Sequence, residues 1–247
     1  MKKFTKKNCS FYTDKPFTVF EIDDFLPEEQ HISLLNSFPD KKLFNGTEGQ
    51  TSNRQLTSKD QNFSVFINKK NEWEKFIDQL NDKKIIDSAY YFSLIPNLKS
   101  RGLSSLKKWI KDDENESKFF FYRKINWLYH FAIQTGKEKI YPHTDSRTKL
   151  LSMIYYLSDD DKEEPNGTEF WKINKNTNKW KNWNNKHLKS DLELKNFSED
   201  CEIFHKSDFK PNKLVGFIKN DISWHSVMHL TGNENSLRKT FNLFIRY

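Results

Sequence analysis

The spacing of apolar positions changes near the middle of this 247-residue chain. The first half mostly follows the 3.6-residue period of a helix, and from Phe119 onward the two-residue period of a strand takes over. Residues 1–16 are polar and read as an extended lead-in, after which Phe17-Thr-Val-Phe-Glu-Ile22 alternates as a strand. Asp23-Asp-Phe-Leu-Pro27-Glu-Glu29 places acids around a proline in a first turn. This predicts a helix striped by Ile32, Leu34, Leu35 and Phe38 and stopped by Pro39-Asp40. Residues 41–62, rich in Asn, Gly, Thr, Ser, Gln and Lys, read as a long loop. Trp73, Phe76, Ile77 and Leu80 fall at i, i+3, i+4 and i+7 and predict a helix from Asn71 to Asp82. Two further helices are expected over 84–94 and Leu103–Lys111, the second with Leu103, Leu106, Trp109 and Ile110 on one side. Asp112-Asp-Glu-Asn-Glu116 is a polar break.

Strands are then predicted at Phe119–Tyr122, Trp127–Ile133, Lys149–Leu157, Thr168–Trp171, Lys213–Lys219, Ser223–Met228 and Arg238–Tyr247, with turn signals between them. Many short strands with no helices between them argue for an antiparallel sandwich or a jelly roll, the second of which cupin-type proteins share. The fold class is therefore mainly β with α, with the N-terminal helices covering one sheet from outside. The chain reads as one domain over 1–247, with a strand and supporting helices over 1–118 and the β core over 119–247. Residues 172–210, rich in Asn and Lys, read as an insertion with a short strand or two. Trp171, Trp180 and Trp183 could stack on a substrate there, but packing that insertion onto the core is the preferred reading.

Composition narrows the chemistry. Only 7 glycines are present and neither G-x-G-x-x-G nor G-x-x-x-x-G-K-[ST] occurs, so no dinucleotide or phosphate loop is expected. The formal net charge is +7, but basic residues are interleaved with acids, which reads as a solvated Lys-rich surface and not as a nucleic-acid interface. Cys9 and Cys201 are the only cysteines, too few for a disulfide framework or a Cys-based zinc site. The basic start, Met1-Lys-Lys-Phe-Thr-Lys-Lys7, has no apolar run behind it, and no stretch approaches the length of a membrane span. A reducing, cytoplasmic setting without a membrane partner is the expectation.

The candidate chemistry starts at Tyr141-Pro-His-Thr-Asp-Ser146. His143 and Asp145, two residues apart beside predicted strands, aim into one space, because positions i and i+2 of a strand share a face. An imidazole and a carboxylate so placed are two thirds of the 2-His-1-carboxylate facial triad that holds non-haem Fe(II) with open positions. A third ligand belongs on a downstream strand, and His225 in Ser223-Trp-His-Ser-Val227 is the candidate, with His229 and His130 as rivals. His31, His187 and His205 read as plain surface residues. On the last strand Arg238 and Thr240 share a face. If that face is inward, the guanidinium needs an anion, and its planar fork suits a carboxylate; otherwise it meets water at a strand end.

His-x-Asp, a distal Trp-His-Ser-Val and Arg-x-Thr, in that order on strands, resemble the 2-oxoglutarate- and Fe(II)-dependent oxygenases, and among them the prolyl-hydroxylase-like branch. The likeness is strongest over 119–247. It includes Lys149-Leu-Leu-Ser-Met-Ile-Tyr-Tyr-Leu157, Gly167-Thr-Glu-Phe-Trp171 and Pro211-Asn-Lys-Leu-Val-Gly-Phe217, and Asp23–Glu29 is similar to the branch's opening helix. The resemblance implies a double-stranded β-helix, a distorted jelly roll. It implies that His143, Asp145 and His225 bind Fe(II), that Arg238 with Thr240 holds the distal carboxylate of 2-oxoglutarate, and that Tyr156 of the Tyr155-Tyr156 pair adds a hydroxyl there. Arg238 stands where collagen-type members carry Lys, which is closer to oxygen-sensing and bacterial members. The implied activity consumes 2-oxoglutarate and O2, with ascorbate as an optional reductant, and releases succinate and CO2 while hydroxylating an unactivated C–H bond. Asp145 favours hydroxylation, since related halogenases lack that carboxylate. The expected prime substrate is a prolyl residue of a protein or peptide. A free amino acid or other small molecule, or a non-catalytic cupin-like metal- or sugar-binding role, is the alternative, and the oligomeric state is not legible. Loop 41–62 and insertion 172–210 are where substrate contacts are expected.

Overall fold

The computed structural model describes residues 1–44, 54–111, 126–135, 139–158, 166–174, 177–182, 184–228 and 237–246, with backbone alone at 101–111, 126, 135 and 166. In chain order the elements are β1 (Phe11–Thr13), β2 (Val19–Ile22), α1 (Glu28–Asn36), β3 (Arg54–Thr57), α2 (Gln61–Lys69), α3 (Asn71–Leu80), α4 (Lys83–Lys111), β4 (Asn126–Thr135), β5 (Ile140–Thr144) and β6 (Lys149–Leu157). They continue with β7 (Asn166–Ile173), β8 (Lys186–His187), α5 (Asp191–Ser198), β9 (Cys201–Asp208), β10 (Leu214–Ile218), β11 (Trp224–Val227) and β12 (Leu237–Arg246). Seven strands form one sheet in the order β1-β2-β10-β6-β12-β4-β3, and five form a second in the order β8-β5-β11-β7-β9. The pairings are antiparallel.

Side-chain alternation divides the large sheet into two faces. Leu151, Met153, Tyr155 and Leu157 of β6 join Phe241, Leu243 and Ile245 of β12 and Phe131 of β4 on the outer face, against Phe63 and Phe66 of α2 and Trp73, Phe76 and Leu80 of α3. The intervening Tyr156 and Phe217 point the other way, into a smaller core shared with Phe170 of the second sheet. Two facing antiparallel sheets with helices laid over the outside of one make the jelly-roll architecture that the period switch allows, in the double-stranded β-helix form that the family resemblance implies. A third cluster, Trp171, Trp180, Leu188, Phe197, Cys201 and Trp224, closes the outer face of the second sheet. Trp171 and Trp180 therefore pack, and the Trp180 indole donates to Asp200 Oδ2 at 2.8 Å. No described helix is long and apolar enough to cross a membrane.

Several elements differ from the sequence reading. The loop expected over 41–62 contains β3 and the start of α2, because Arg-Gln-Leu-Thr becomes a strand only by pairing with β4, Leu56 against Phe131. The helices expected at 84–94 and 103–111 are one helix, α4, which runs through Pro96. A proline cannot donate to the carbonyl four residues back. The neighbouring Asn97 ties this stretch down, its amide donating to Ser93 O at 2.9 Å and to Leu150 O at 3.3 Å. The insertion expected to reach 210 gives way at Cys201 to β9, a full strand paired with β7, and it carries a helix, α5, that was not foreseen. The first half also contributes three strands to the large sheet where one was expected. The strand expected at Phe119–Tyr122, the polar break, Trp183, His229 and the side chains of Leu103, Leu106, Trp109 and Ile110 lie outside the described residues.

Gly216 of β10 lies opposite Phe20 of β2 and Met153 of β6. A Cβ there would stand 2.3 Å from Phe20 Cζ, well inside contact distance. Gly216→Ala should destabilise the fold by about 1–3 kcal/mol through overpacking, read as a lowered thermal midpoint. An unchanged midpoint would show that the Phe20 ring moves aside freely.

Candidate active site

β5 and β11 lie side by side in the second sheet with His143 and His225 as register partners. Their ring centroids are 4.1 Å apart. Asp145 follows β5 directly, two residues after His143, in the turn that leads to β6. The ligand-capable atoms of His143, Asp145 and His225 all lie within 4.8 Å of one another. The sequence-derived trio is thus brought together, with His225 on the interior side and His130 outside the cluster.

Hydrogen bonds fix the tautomers. His143 Nδ1 is 3.0 Å from Tyr141 O and His225 Nδ1 is 3.2 Å from Ser223 O. A carbonyl only accepts, so both Nδ1 atoms carry the proton and both Nε2 lone pairs are left for a metal. Burial, reinforced by His225 and His187, holds His143 well below the usual histidine range, and burial pushes His225 down to about 4. Burial would raise Asp145, but Lys149, His225 and His143 outweigh it and hold its carboxyl well below the usual carboxylate range. At neutral pH the cluster is two neutral imidazoles and a carboxylate, the protonation state that a divalent cation requires.

A pH dependence follows. Affinity for Mn(II), measured by calorimetry, should change less than about threefold between pH 8 and pH 6, whereas two histidines near 6.5 would cost roughly tenfold or more. A tenfold loss at pH 6 would contradict the buried neutral pair. The metal-free fold should lose stability as pH falls below about 6.5. There the unfolded chain takes up protons that His225 and His130, each lowered to about 4, refuse in the folded state.

Asp145 has two further partners from β6. Lys149 Nζ donates to Oδ1 and Ser152 Oγ donates to Oδ2, each at 2.6 Å. Around them Phe217 lies 4.4 Å from the His225 ring, and the Phe244 ring has Lys149 Nζ 3.5 Å from its centroid. His130, half-buried on β4, meets the same Phe244 ring edge-on at 4.9 Å.

Of the histidines expected at the surface, His187 is exposed but not remote from the cluster, and His31 and His205 are drawn inward. His187 of β8 is the register partner of His143 and stacks on it at 4.7 Å, so it borders the site. Nothing in its Asn- and Lys-rich surroundings signals this. His31 is buried, with Nδ1 2.6 Å from the Tyr155 hydroxyl, and His205 is half-buried, 2.7 Å from Glu21 and stacked on Phe11.

The last strand supplies the anion end. Arg238 is 4% exposed, and its Nε and Nη2 have no hydrogen-bond partner among the described residues. The guanidinium lies between two rings, 5.2 Å from the Tyr156 centroid and 5.0 Å from that of Phe209. Burial lowers its pKa and Tyr156 opposes that shift. Thr240, on the same face, is the register partner of Tyr156. The Tyr156 hydroxyl sits beside Arg238 but is also held by Ser207 Oγ at 2.7 Å and Thr168 Oγ1 at 2.9 Å.

No family model and no curated protein sequence matches the chain. Solved structures do. EctD from S. alaskensis in its apoform matches with a TM-score of 0.51 over 100% of this chain and 83% of that one, at 10% identity. A Pseudomonas putida prolyl-4-hydroxylase matches at 12% identity over 93% of this chain and 92% of that one, with a TM-score of 0.42. The prolyl hydroxylase of Trichoplax adhaerens, solved with a hypoxia inducible factor peptide fragment, matches at 11% identity over 92% and 83%, with a TM-score of 0.48. The likeness to apo EctD is one of fold, and it agrees with the two-sheet topology described above.

Proposed function

We propose that this chain is an Fe(II)- and 2-oxoglutarate-dependent dioxygenase that hydroxylates an unactivated C–H bond, with a prolyl residue of a protein or peptide as its leading substrate. The observation that carries the reading is the Arg238 guanidinium, buried and lacking a counter-ion among the described residues, inside the same two-sheet core that holds a 2-His-1-carboxylate cluster. A buried cation without a partner is costly, so the fold retains it for an anion that arrives later. A non-catalytic metal-binding barrel has no use for it.

His143, Asp145 and His225 would hold the metal, and three protein ligands would leave room on it for a chelating keto acid. Bound there, Fe(II) would supply the activation of O2 that couples oxidative decarboxylation of 2-oxoglutarate to hydroxylation of the substrate. Arg238 and Thr240 grip the distal carboxylate and fix the cosubstrate's orientation. Tyr156 backs the guanidinium with its ring. Ser152 and Lys149 hold the Asp145 carboxylate in place for the metal. Phe217 and Phe244, with Ile154, form the apolar wall that keeps water off the reacting centre. In this reading 1–247 works as one unit, the N-terminal strands and helices stiffening the sheet that carries Arg238.

The test is incubation with Fe(II), 2-oxoglutarate and ascorbate, with and without proline-containing peptides. Mass spectrometry should show a gain of one oxygen atom on the peptide, and succinate should form in step with it. Fe(II)-loaded protein that neither binds 2-oxoglutarate nor forms succinate would sink the whole reading. Succinate without peptide oxidation would remove the prolyl substrate alone.

A further inference from the structure

A second pair of cations stands beyond the metal cluster, at the opposite end of β12 from Arg238. Arg246 lies directly across from Lys149 in the β12–β6 register. Like charges so placed repel. The register slips between Ile245 and Arg246. This bulge is what turns Lys149 inward: Leu150 joins the helix-side core, and Lys149 reaches Asp145 on the interior face. Bulges commonly re-aim a side chain beside a functional site.

Among the described residues the charges near this pair do not balance. Lys149 is paired with Asp145, whose carboxylate is the one proposed for the metal. Arg246 is half-buried, and its Nε is enclosed without a hydrogen-bond partner among the described residues. The field of Arg246 reaches both Lys149 and His130. Four residues up the strand on the same face, Asn242 Oδ1 is also buried without a partner among the described residues. Arg238 cannot share its anion with this end. Eight residues of extended strand separate the two arginines, a rise of about 26 Å, far more than a five-carbon dicarboxylate spans.

We infer that Arg246 and Lys149 form a second anion site, which receives a carboxylate of the prime substrate, while Asn242 accepts from an N–H of the same molecule. This deepens the proposed function and rests on it. The chemistry fits a free amino or imino acid, and equally an acidic residue next to the target position of a peptide. Phe244, between Lys149 and His130, is the apolar floor over which the carbon skeleton lies. The carboxylate replaces the charge that Asp145 spends on the metal, so substrate and metal complete the site together.

The experiment uses Mn(II)-loaded protein saturated with 2-oxoglutarate, titrated by calorimetry with pairs that differ only in charge: L-proline against L-prolinamide, and a C-terminally amidated Ala-Pro-Glu against Ala-Pro-Gln. The acid of at least one pair should bind tenfold or more tighter than its amide. The pair that shows this tells whether the carboxylate comes from a free acid or a peptide. Arg246→Met should abolish the difference and Arg246→Lys should restore most of it. Equal binding of acid and amide in both pairs, or an acid preference that survives Arg246→Met, would overturn the inference. Failure of the underlying reading shows separately, as absence of 2-oxoglutarate binding to the wild-type metal-loaded protein before any probe is added.

Discussion

His225→Ala should abolish turnover and lower metal affinity by more than about 100-fold. Loss of even an outer partner of a metal ligand commonly costs about 10–100-fold, and this change removes a ligand outright. The effect should be large because the other described histidines near the cluster are turned elsewhere: His130 meets Phe244, and His187 stacks flat on His143 with its Nε2 2.9 Å from Asn185 Oδ1. Folding is separable from function here. His225 is packed between Phe217 and His143, so its removal leaves a small cavity beside an otherwise intact sheet. At neutral pH His225 is already uncharged, so its removal costs only the packing of that cavity, and the metal-free variant should still fold cooperatively with a thermal midpoint lowered by the equivalent of about 2–4 kcal/mol. Calorimetry with Mn(II) and a melting curve on the same sample decide the matter. Stoichiometric, tight metal in the variant would mean that the three side chains are not the ligand set.

The parts of this site that could be read from the sequence are those that depend on local period. His143 and Asp145 are legible because two residues along a strand fix a common face, and Arg238 and Thr240 by the same rule. Helix α3 is legible because Trp73, Phe76 and Leu80 form a complete stripe, and all three are buried. What escaped depends on distant partners. β3 has one strongly apolar residue, and only β4 makes it a strand. Lys149 reads as a strand residue facing away from Ser152, until a bulge reverses it. His31 and His187 owe their surroundings to Tyr155 and His143, more than forty positions away in each case.

Some signals were present and carried more than their local reading gave. Ser190 and Glu193 form a variant of the capping box at the start of α5: Ser190 Oγ accepts from the Glu193 N–H, and the Glu193 carboxylate accepts from the N–H of Lys189, one residue before the cap. That pattern precedes Leu194 and Phe197, which pack onto the tryptophan cluster. Two of the motifs that carry the family likeness, Asp23–Glu29 and Pro211–Phe217, prove to be one contact. The Asn212 side chain accepts from Leu26 N at 2.9 Å and donates to Leu26 O at 2.8 Å, pinning the first helix to the large sheet. Their co-occurrence in the sequence therefore has a mechanical cause.

Arg238→Met should have opposite effects on stability and on binding, a pattern that a merely structural residue would not give. In the ligand-free protein the guanidinium is buried with two donors unmet, between Tyr156 and Phe209. A methionine of similar length fills that slot without a charge, and replacing a buried ion with an apolar group of similar volume often stabilises by about 1–4 kcal/mol. The melting temperature of Arg238→Met without 2-oxoglutarate should therefore rise or hold. Binding of 2-oxoglutarate should weaken by ~30-fold or more, because truncating one member of a buried, hydrogen-bonded charge pair costs about 2–5 kcal/mol. Metal affinity should be unaffected, since Arg238 does not touch His143, Asp145 or His225. Arg238→Lys should fall between, keeping the charge but losing the planar fork that grips a carboxylate at two points. The measurement is a titration of the anaerobic Fe(II) protein with 2-oxoglutarate, followed by its visible charge-transfer band, next to melting curves with and without the cosubstrate. A variant that melts lower and binds 2-oxoglutarate as tightly as wild type would make Arg238 a structural residue and leave the metal cluster without its cosubstrate.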